Sequence, residues 1–204
     1  KNWIEDAIFL DLDQQQLPAT LQEAPADISF SIPIGQGKEI ILDLTQIQVV
    51  SHDFFVSTSS GSHDLMGATG LFYTGIVRGD LYSSATLSLF QGQLRLLIMD
   101  RASTYILGKI QDDSGQYIFY NEKKLLQDPL PWDCGTKDTP LPKRSTKGTP
   151  SPPKPLAGGG CVKVYVETEF QVYQDHSSSL IAVTDYILGI FAESIVAYRD
   201  IGVN

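Results

Sequence analysis

Residues 70–100, GLFYTGIVRGDLYSSATLSLFQGQLRLLIMD, decide the fold class. Three runs of mostly β-branched, aromatic and other apolar residues, at 70–77, 84–90 and 94–100, are separated by Arg78-Gly79-Asp80 and Gln91-Gly92-Gln93. Glycine and aspartate tolerate the positive φ angles that tight hairpin turns require. This stretch therefore predicts consecutive antiparallel strands.

The same pattern continues on both sides of this stretch. Residues 28–32 alternate between apolar and polar side chains, as expected for a strand with one buried face. Similar short runs recur roughly every ten residues, at 39–44, 46–50, 53–58, 104–110 and 117–120. We predict a mainly β protein, built as an antiparallel β-sandwich or barrel, with an irregular lead-in before residue 28.

Composition limits the classes of partner. With 42% hydrophobic residues among 204, the chain has enough apolar content for a packed core. A formal net charge of -9 repels phosphate backbones and anionic lipids, so we expect no nucleic-acid partner. The longest apolar stretches, such as residues 94–99, are far shorter than the roughly 20 residues that cross a bilayer, so we expect no membrane span.

The chain changes character after residue 127. Most of the prolines and the run Gly158-Gly159-Gly160 fall within residues 128–160, which predicts a linker. Val162, Val164 and Val166 then alternate with polar or aromatic residues, which predicts a strand of about eight residues. We therefore divide the chain into a β-rich domain at 1–127, a linker at 128–160 and a C-terminal piece at 161–204.

A long helix is predicted in the C-terminal piece. Ser177-Ser178-Ser179 supplies an N-cap and Gly202 is placed to end the helix. Apolar residues recur at three-to-four spacing, at Val183, Ile187, Phe191, Ile195 and Tyr198. One strand and one helix cannot form a core, so we expect a fragment of a larger domain with an uncovered apolar face.

Two segments carry a resemblance to a known family. Residues 161–204, CVKVYVETEFQVYQDHSSSLIAVTDYILGIFAESIVAYRDIGVN, resemble the first strand and helix of a reprolysin (adamalysin-type) metzincin zinc metalloprotease domain, which is an α/β fold. Residues 73–98, YTGIVRGDLYSSATLSLFQGQLRLLI, resemble the pro-domain that precedes such proteases. The resemblance implies a pro-segment that keeps a secreted zinc metalloendopeptidase latent and assists its folding.

The resemblance also implies partners and a compartment. The partners would be the catalytic domain of the same precursor, which holds the zinc, and an activating protease. The expected location is secreted or extracellular, and the alternative is a periplasmic location.

The catalytic motif of that family is missing from the chain. The histidines of this chain are His52, His63 and His176, and none belongs to a His-Glu-x-x-His motif. We therefore expect the chain to be inactive alone. The acidic neighbours of His52 and His63 suggest a hydrolase or metal site, but adjacent strand residues point to opposite faces, so we predict surface or loop histidines.

Cys134 is similar to a cysteine switch, in which a pro-segment thiolate takes the open position of a catalytic zinc and displaces the attacking water. The sequence around it departs from the motif, with Asp133 in place of an arginine and Lys137 in place of a proline. A disulfide between Cys134 and Cys161 is the alternative; it would close a loop of about 27 residues and stabilise the fold by roughly 3 kcal/mol. Cys161 pairing with a cysteine outside this chain is the third assignment.

Lys143 and Arg144 form the dibasic pair of the linker, and exposed linkers are where proteolytic cleavage concentrates. They are the predicted cleavage site, against the simpler view that they keep the linker solvated. For Glu167, the resemblance implies a calcium ligand, against the simpler view of a surface strand glutamate.

A second function class stays open. The chain would then be a non-enzymatic secreted β-sandwich used for adhesion or carbohydrate binding. An exposed aromatic platform or an acidic calcium cluster would favour that class, whereas an exposed apolar face on the C-terminal helix would favour the protease fragment.

Overall fold

A computed structural model describes residues 4–12, 16–65, 70–90, 93–110, 114–126 and 164–200. The strands in these ranges are β1 (Ile8–Leu10), β2 (Asp27–Gly35), β3 (Lys38–Ile47), β4 (Val56–Thr58), β5 (Gly61–His63), β6 (Leu71–Val77), β7 (Asp80–Phe90), β8 (Gln93–Met99), β9 (Thr104–Lys109) and β10 (Tyr117–Asn121). The α-helices are α1 (Gln16–Glu23), α2 (Phe170–Asp175) and α3 (Leu180–Asp200), and a 3-10 turn spans Glu122–Lys124.

Eight of the described strands form one antiparallel sheet in the order β1-β10-β9-β8-β7-β6-β3-β2. The sheet curls until it is nearly closed, and the two edge strands β1 and β2 approach the same cavity of about 360 Å³. Strands β4 and β5 form a separate hairpin. The predicted fold class, a mainly β antiparallel sandwich or barrel, is confirmed.

The core lies on the concave side of this sheet. Side chains on a strand alternate between the two faces, and on β7 the inward set is Ala85, Leu87 and Leu89. They pack with buried residues of the other strands, including Ile32, Leu42, Tyr73, Leu96, Ile98 and Phe119. Strand β7 is unusual because its outward set is also buried, from Ser84 to Phe90. Another element must therefore cover its outer face.

One core tyrosine fixes the chain before β2. Tyr73 is fully buried, and its hydroxyl donates a hydrogen bond to the carbonyl oxygen of Pro25 at 2.9 Å. The contact satisfies the buried hydroxyl and holds the connection between α1 and β2 against β6.

The predicted irregular lead-in is wrong for the described residues. Strand β1 pairs with β10, with Ile8 opposite Phe119, and α1 follows it. Leu17 of α1 is buried in the core. A helix this short is stabilised by tertiary packing more than by its own propensity, so the sequence alone gave little signal.

Two predicted strands also differ from the structure. The run 46–50 is not a strand of its own: β3 extends to Ile47, opposite Phe72, and ends where its partner β6 begins. In the run 53–58, pairing is limited to β4, opposite β5. In both places the strand ends where its partner strand no longer offers backbone groups for pairing.

The C-terminal segment differs most from expectation. Residues 164–169 are exposed and form no strand, so the predicted strand is wrong over its described part. Strands need a neighbouring strand for their backbone hydrogen bonds, and no described strand pairs with this segment. The short helix α2 follows and was not predicted.

The long helix is confirmed as α3, and Ser179 caps it, because its Oγ accepts a hydrogen bond from the amide of Ala182 at 3.3 Å. The expectation of an uncovered apolar face is wrong for the side that buries Leu188, Ala192 and Val196, since α3 lies on β7 and β6. None of the helices in the described ranges has the length and apolar character needed to span a membrane.

Candidate functional site

The interface between α3 and the outer face of β7 is the candidate site, because it joins the β-rich part of the chain to the part that resembles a protease. Its apolar centre consists of Phe72, Phe90, Leu188 and Ala192, all buried. The two phenylalanine rings meet edge to face, with centroids 6.0 Å apart. This cluster lies outside the main core and supplies the hydrophobic contribution to helix docking.

Small residues let α3 approach the sheet closely. A Cβ atom added to Gly189 would lie 3.1 Å from Cζ of Phe90 and 3.6 Å from Oγ of Ser88. Ala192, one turn further along, is fully buried. Larger side chains at these two positions would push the helix away from β7.

At one end of the interface, a hydrogen bond joins α3 to the residue that precedes β6. The backbone amide of Gly70 donates to Oδ1 of Asp185 at 2.8 Å. Burial raises the pKa of Asp185 to about 6, while the hydrogen bond from Gly70 acts in the opposite direction. Gly70 also has a steric role, since an added Cβ would lie 2.3 Å from the carbonyl oxygen of Leu89. Only glycine fits at this position without a shift of the backbone.

Elsewhere in the interface, an ion pair joins α3 to β8. Nε of Arg95 on β8 lies 3.3 Å from Oε1 of Glu193, and the two side chains are 34% and 17% exposed. The Arg95 guanidinium also lies 5.6 Å from the ring centroid of Tyr186. Burial raises the pKa of Glu193, and Arg95 opposes that rise. Both carboxyl groups of the interface therefore favour protonation more than exposed carboxyls do.

Tyr186 connects the interface to α2. The ring of His176, the C-cap residue of α2, lies 4.5 Å from the Tyr186 ring, centroid to centroid. Nδ1 of His176 lies 2.8 Å from the carbonyl oxygen of Val172. The turn between the two helices is thus held against the same aromatic residue that contacts Arg95.

The interface also contains polar groups that it does not satisfy. Thr86 Oγ1 and Ser88 Oγ, on the outer face of β7, are buried and have no hydrogen-bond partner among the described residues. An unpaired buried hydroxyl costs roughly 1–3 kcal/mol. Together with two desolvated carboxyl groups, these hydroxyls make helix docking weaker than its apolar contacts alone would give.

The residues predicted to carry the cysteine switch and the cleavage lie elsewhere. Cys134, Lys143, Arg144 and Cys161 fall outside the described residues, so the switch, the disulfide and the cleavage site stay predictions. Glu167 is exposed in the segment that precedes α2.

The structure separates the histidines. His52 lies in an exposed turn, and Nε2 of His63, at the end of β5, lies 3.1 Å from Oγ1 of Thr58. Across the described ranges, no three His, Cys, Asp or Glu side chains are grouped so that they could hold a metal ion. Glu167 belongs to no such group among the described residues, and its role as a calcium ligand stays a prediction.

Sequence reasoning missed Asp185, Glu193 and Arg95. A signal was available, since Asp185 and Glu193 are the charged residues between Leu180 and Tyr198 and lie about two turns apart. Two carboxylates on one side of an otherwise apolar helix indicate a polar contact there.

Comparison with known proteins gives one relevant similarity. No protein-family model matches the chain. Over 108 residues, or 50% of the chain, the sequence is 32% identical to disintegrin and metalloproteinase domain-containing protein 19 from Homo sapiens. The matched region spans 11% of the length of that protein. Half of this chain is therefore similar to a small part of a metalloproteinase-domain protein.

Proposed function

We propose that this chain is the pro-segment of a secreted zinc metalloendopeptidase, which it keeps latent and helps to fold. One observation carries the proposal: α3, which belongs to the segment resembling a protease start, packs on the outer face of the β-rich part through Leu188 and Ala192. The similarity of half the chain to a metalloproteinase-domain protein supports the same class.

The folding role follows from the topology. Strands β6 to β10 are neighbours both in sequence and in the sheet, so most of the sheet forms through short-range pairing. An isolated helix such as α3 is marginal in water and needs tertiary contacts. In this proposal the sheet forms first and offers its outer face to α3, which holds the first helix of the protease in a folded state.

The latency role rests on Cys134. Zinc, when bound in the protease, supplies the Lewis acid and activates the attacking water. In this proposal the Cys134 thiolate takes the coordination position of that water. A Cys134–Cys161 disulfide would consume the thiol and is the competing arrangement. Activation follows when another protease cleaves near Lys143 and Arg144.

No observation in the described part of the chain favours adhesion or carbohydrate binding. The exposed ring of Tyr82 is covered on one face by Arg101, whose guanidinium carbon lies 3.5 Å from the ring centroid. That arrangement is a cation–π pair and not a free stacking platform.

The test is expression of the complete precursor in secretory cells, with metalloendopeptidase activity measured before and after cleavage of the linker. We expect low activity before cleavage, and higher activity before cleavage in a Cys134→Ala precursor. A reading frame without a His-Glu-x-x-His motif after Asn204 would overturn the proposal, as would a precursor that is fully active before cleavage.

A further inference from the structure

The curled sheet encloses an apolar cavity between its two ends. In the described part of the chain, the edge strands β1 and β2 are the two ends of the sheet order and do not pair with each other. Leu10 of β1 and Ile28, Phe30 and Ile32 of β2 line a cavity of about 360 Å³. Pockets that hold small molecules commonly measure roughly 300–1,000 Å³. The cavity therefore has room for a small ligand.

The floor of the cavity is formed by the middle strands of the sheet. Leu87 and Leu89 of β7, Leu94 of β8 and Leu107 of β9 line it, and each is at most 4% exposed. Leu17 of α1 lies on another side of the same space. A cavity with an aliphatic lining offers water few hydrogen bonds and accepts apolar molecules instead. The body of a ligand in this site is therefore hydrocarbon.

The lining carries very little charge. Among the described residues that line the cavity, Asp11 is the one acidic residue and no basic residue is present. Asp11 is exposed beyond the end of β1, where its Oδ1 accepts a hydrogen bond from the Gln116 side-chain amide at 3.3 Å. A charged group inside the cavity would lose its hydration without gaining a buried partner. The ligand is therefore neutral.

One buried hydroxyl group of the lining has a hydrogen to donate. Tyr117 is 2% exposed, and its hydroxyl oxygen accepts a hydrogen bond from the backbone amide of Leu94 at 3.1 Å. The described residues provide no acceptor for the hydrogen of this hydroxyl. Burial raises the pKa of Tyr117, so the hydroxyl keeps its hydrogen at neutral pH. It can therefore donate to an oxygen atom of a ligand.

The serine hydroxyls of β2 are engaged in other contacts. Ser29 Oγ donates to Oδ1 of Asp43 at 3.0 Å, and Ser31 Oγ donates to Oε2 of Glu39. Both serines are exposed, whereas the isoleucine and phenylalanine side chains between and beside them face the cavity. The hydrogen-bonding specificity of the cavity thus rests on Tyr117.

We propose that this cavity binds a neutral lipid-like molecule, with a hydrocarbon body and one oxygen acceptor such as that of an alcohol or an ester. The hydrocarbon lies against the leucines of β7, β8 and β9, and the oxygen accepts the hydrogen of the Tyr117 hydroxyl. The site lies on the concave side of the sheet, whereas α3 packs on the outer face. The inference therefore does not depend on the proposed function.

The first test is binding of N-phenyl-1-naphthylamine, a neutral apolar dye that fluoresces in apolar sites, to the 204-residue chain. We expect fluorescence to rise, and decanol to displace the dye at lower concentration than decanoate. Decanol should also raise the thermal unfolding midpoint, since it binds the folded state. Absence of dye binding would overturn the site, as would decanoate that competes as well as decanol.

A matched pair of variants on β2 locates the bound dye. Ile28→Trp fills the cavity, whereas Ile34→Trp changes a partly buried isoleucine of the same strand that does not line it. With both variants shown to be folded by circular dichroism, Ile28→Trp should abolish dye binding and Ile34→Trp should leave it unchanged. Unaltered binding to Ile28→Trp would overturn the proposal, because the dye would then sit on exposed apolar side chains such as Leu81.

Tyr117→Phe tests the hydrogen bond separately from the shape of the cavity. The variant should weaken decanol binding about five-fold, the effect of losing one hydrogen bond. The dye has no oxygen acceptor, so its affinity should stay the same and report an intact cavity. Equal losses for dye and decanol, or no loss for decanol, would overturn the role of the Tyr117 hydroxyl in binding.

Discussion

The backbone amide of Gly70 and the carboxylate of Asp185 form a hydrogen bond of 2.8 Å between residues 115 positions apart in sequence. It joins the sheet to the helix that resembles the start of a protease. Asp185 is 6% exposed and no described cation pairs with it. Helix docking therefore depends on the charge state of this buried carboxyl group.

We predict that stability falls as pH rises through 6 and that Asp185→Asn removes this dependence. The pKa of Asp185 is raised from 3.8 to about 6, so the folded state favours the protonated form. The resulting stabilisation is fully present below the ordinary pKa and is lost as pH rises through the folded-state pKa. Asparagine keeps an oxygen to accept from Gly70 but carries no charge.

The measurement is urea unfolding of both proteins from pH 4 to pH 8. The difference between them should change by roughly 1–3 kcal/mol across this range, with the variant the more stable of the two near neutral pH. Because Glu193 and the histidines are present in both proteins, their titration cancels in the difference. Parallel curves would contradict the prediction.

Gly75→Ala should prevent stable folding, because an added Cβ would lie 1.9 Å from the backbone carbonyl oxygen of Asp43 on β3. The neighbouring strand cannot move without breaking its pairing with β6, so we expect a loss of more than about 3 kcal/mol. Gly108→Ala on β9 is the matched control, since nothing lies within 4 Å of its added Cβ. Circular dichroism and thermal unfolding should separate the two variants clearly. Equal stability would show that β3 and β6 are not this close.

A double-mutant cycle on Arg95→Met and Glu193→Gln should give a coupling of about 1 kcal/mol. The two groups are 3.3 Å apart and the side chains are 34% and 17% exposed, which places the pair between a surface and a buried ion pair. The free energy of unfolding is measured for the four proteins at neutral pH. Arg95→Met in the Glu193→Gln background should cost less than in the wild type. Additive effects would exclude the ion pair as a contributor to docking.

Local patterns in the sequence predicted the sheet well. Alternation in residues 28–32 and the turn at Arg78-Gly79-Asp80 depend on neighbours in sequence, and both elements are found. Ser179 as a helix cap is confirmed for the same reason. Periodicity alone also placed α3, although the stripe that it buries is rotated from the predicted one, because Tyr198 is exposed and Leu188 is buried.

The interface between α3 and the sheet could not be predicted from local sequence patterns. Whether residues 164–169 form a strand depends on the presence of a partner strand, which periodicity cannot supply. The contact between Gly70 and Asp185 spans most of the chain, and the burial that raises the pKa of Asp185 exists only after α3 docks. The run Ala85 to Phe90 has no charged residue, which is typical of a strand that is covered on both faces, but the pattern does not indicate which element covers the outer face.

The proposed latency is tested most directly by inhibition in trans. The purified, reduced 204-residue chain is added to the mature metalloendopeptidase of the same precursor, and the experiment is repeated with Cys134→Ser. We expect inhibition by the wild-type chain and much weaker inhibition by the variant, because the thiolate is the proposed zinc ligand. Absence of inhibition by both chains, with both shown to be folded, would contradict it.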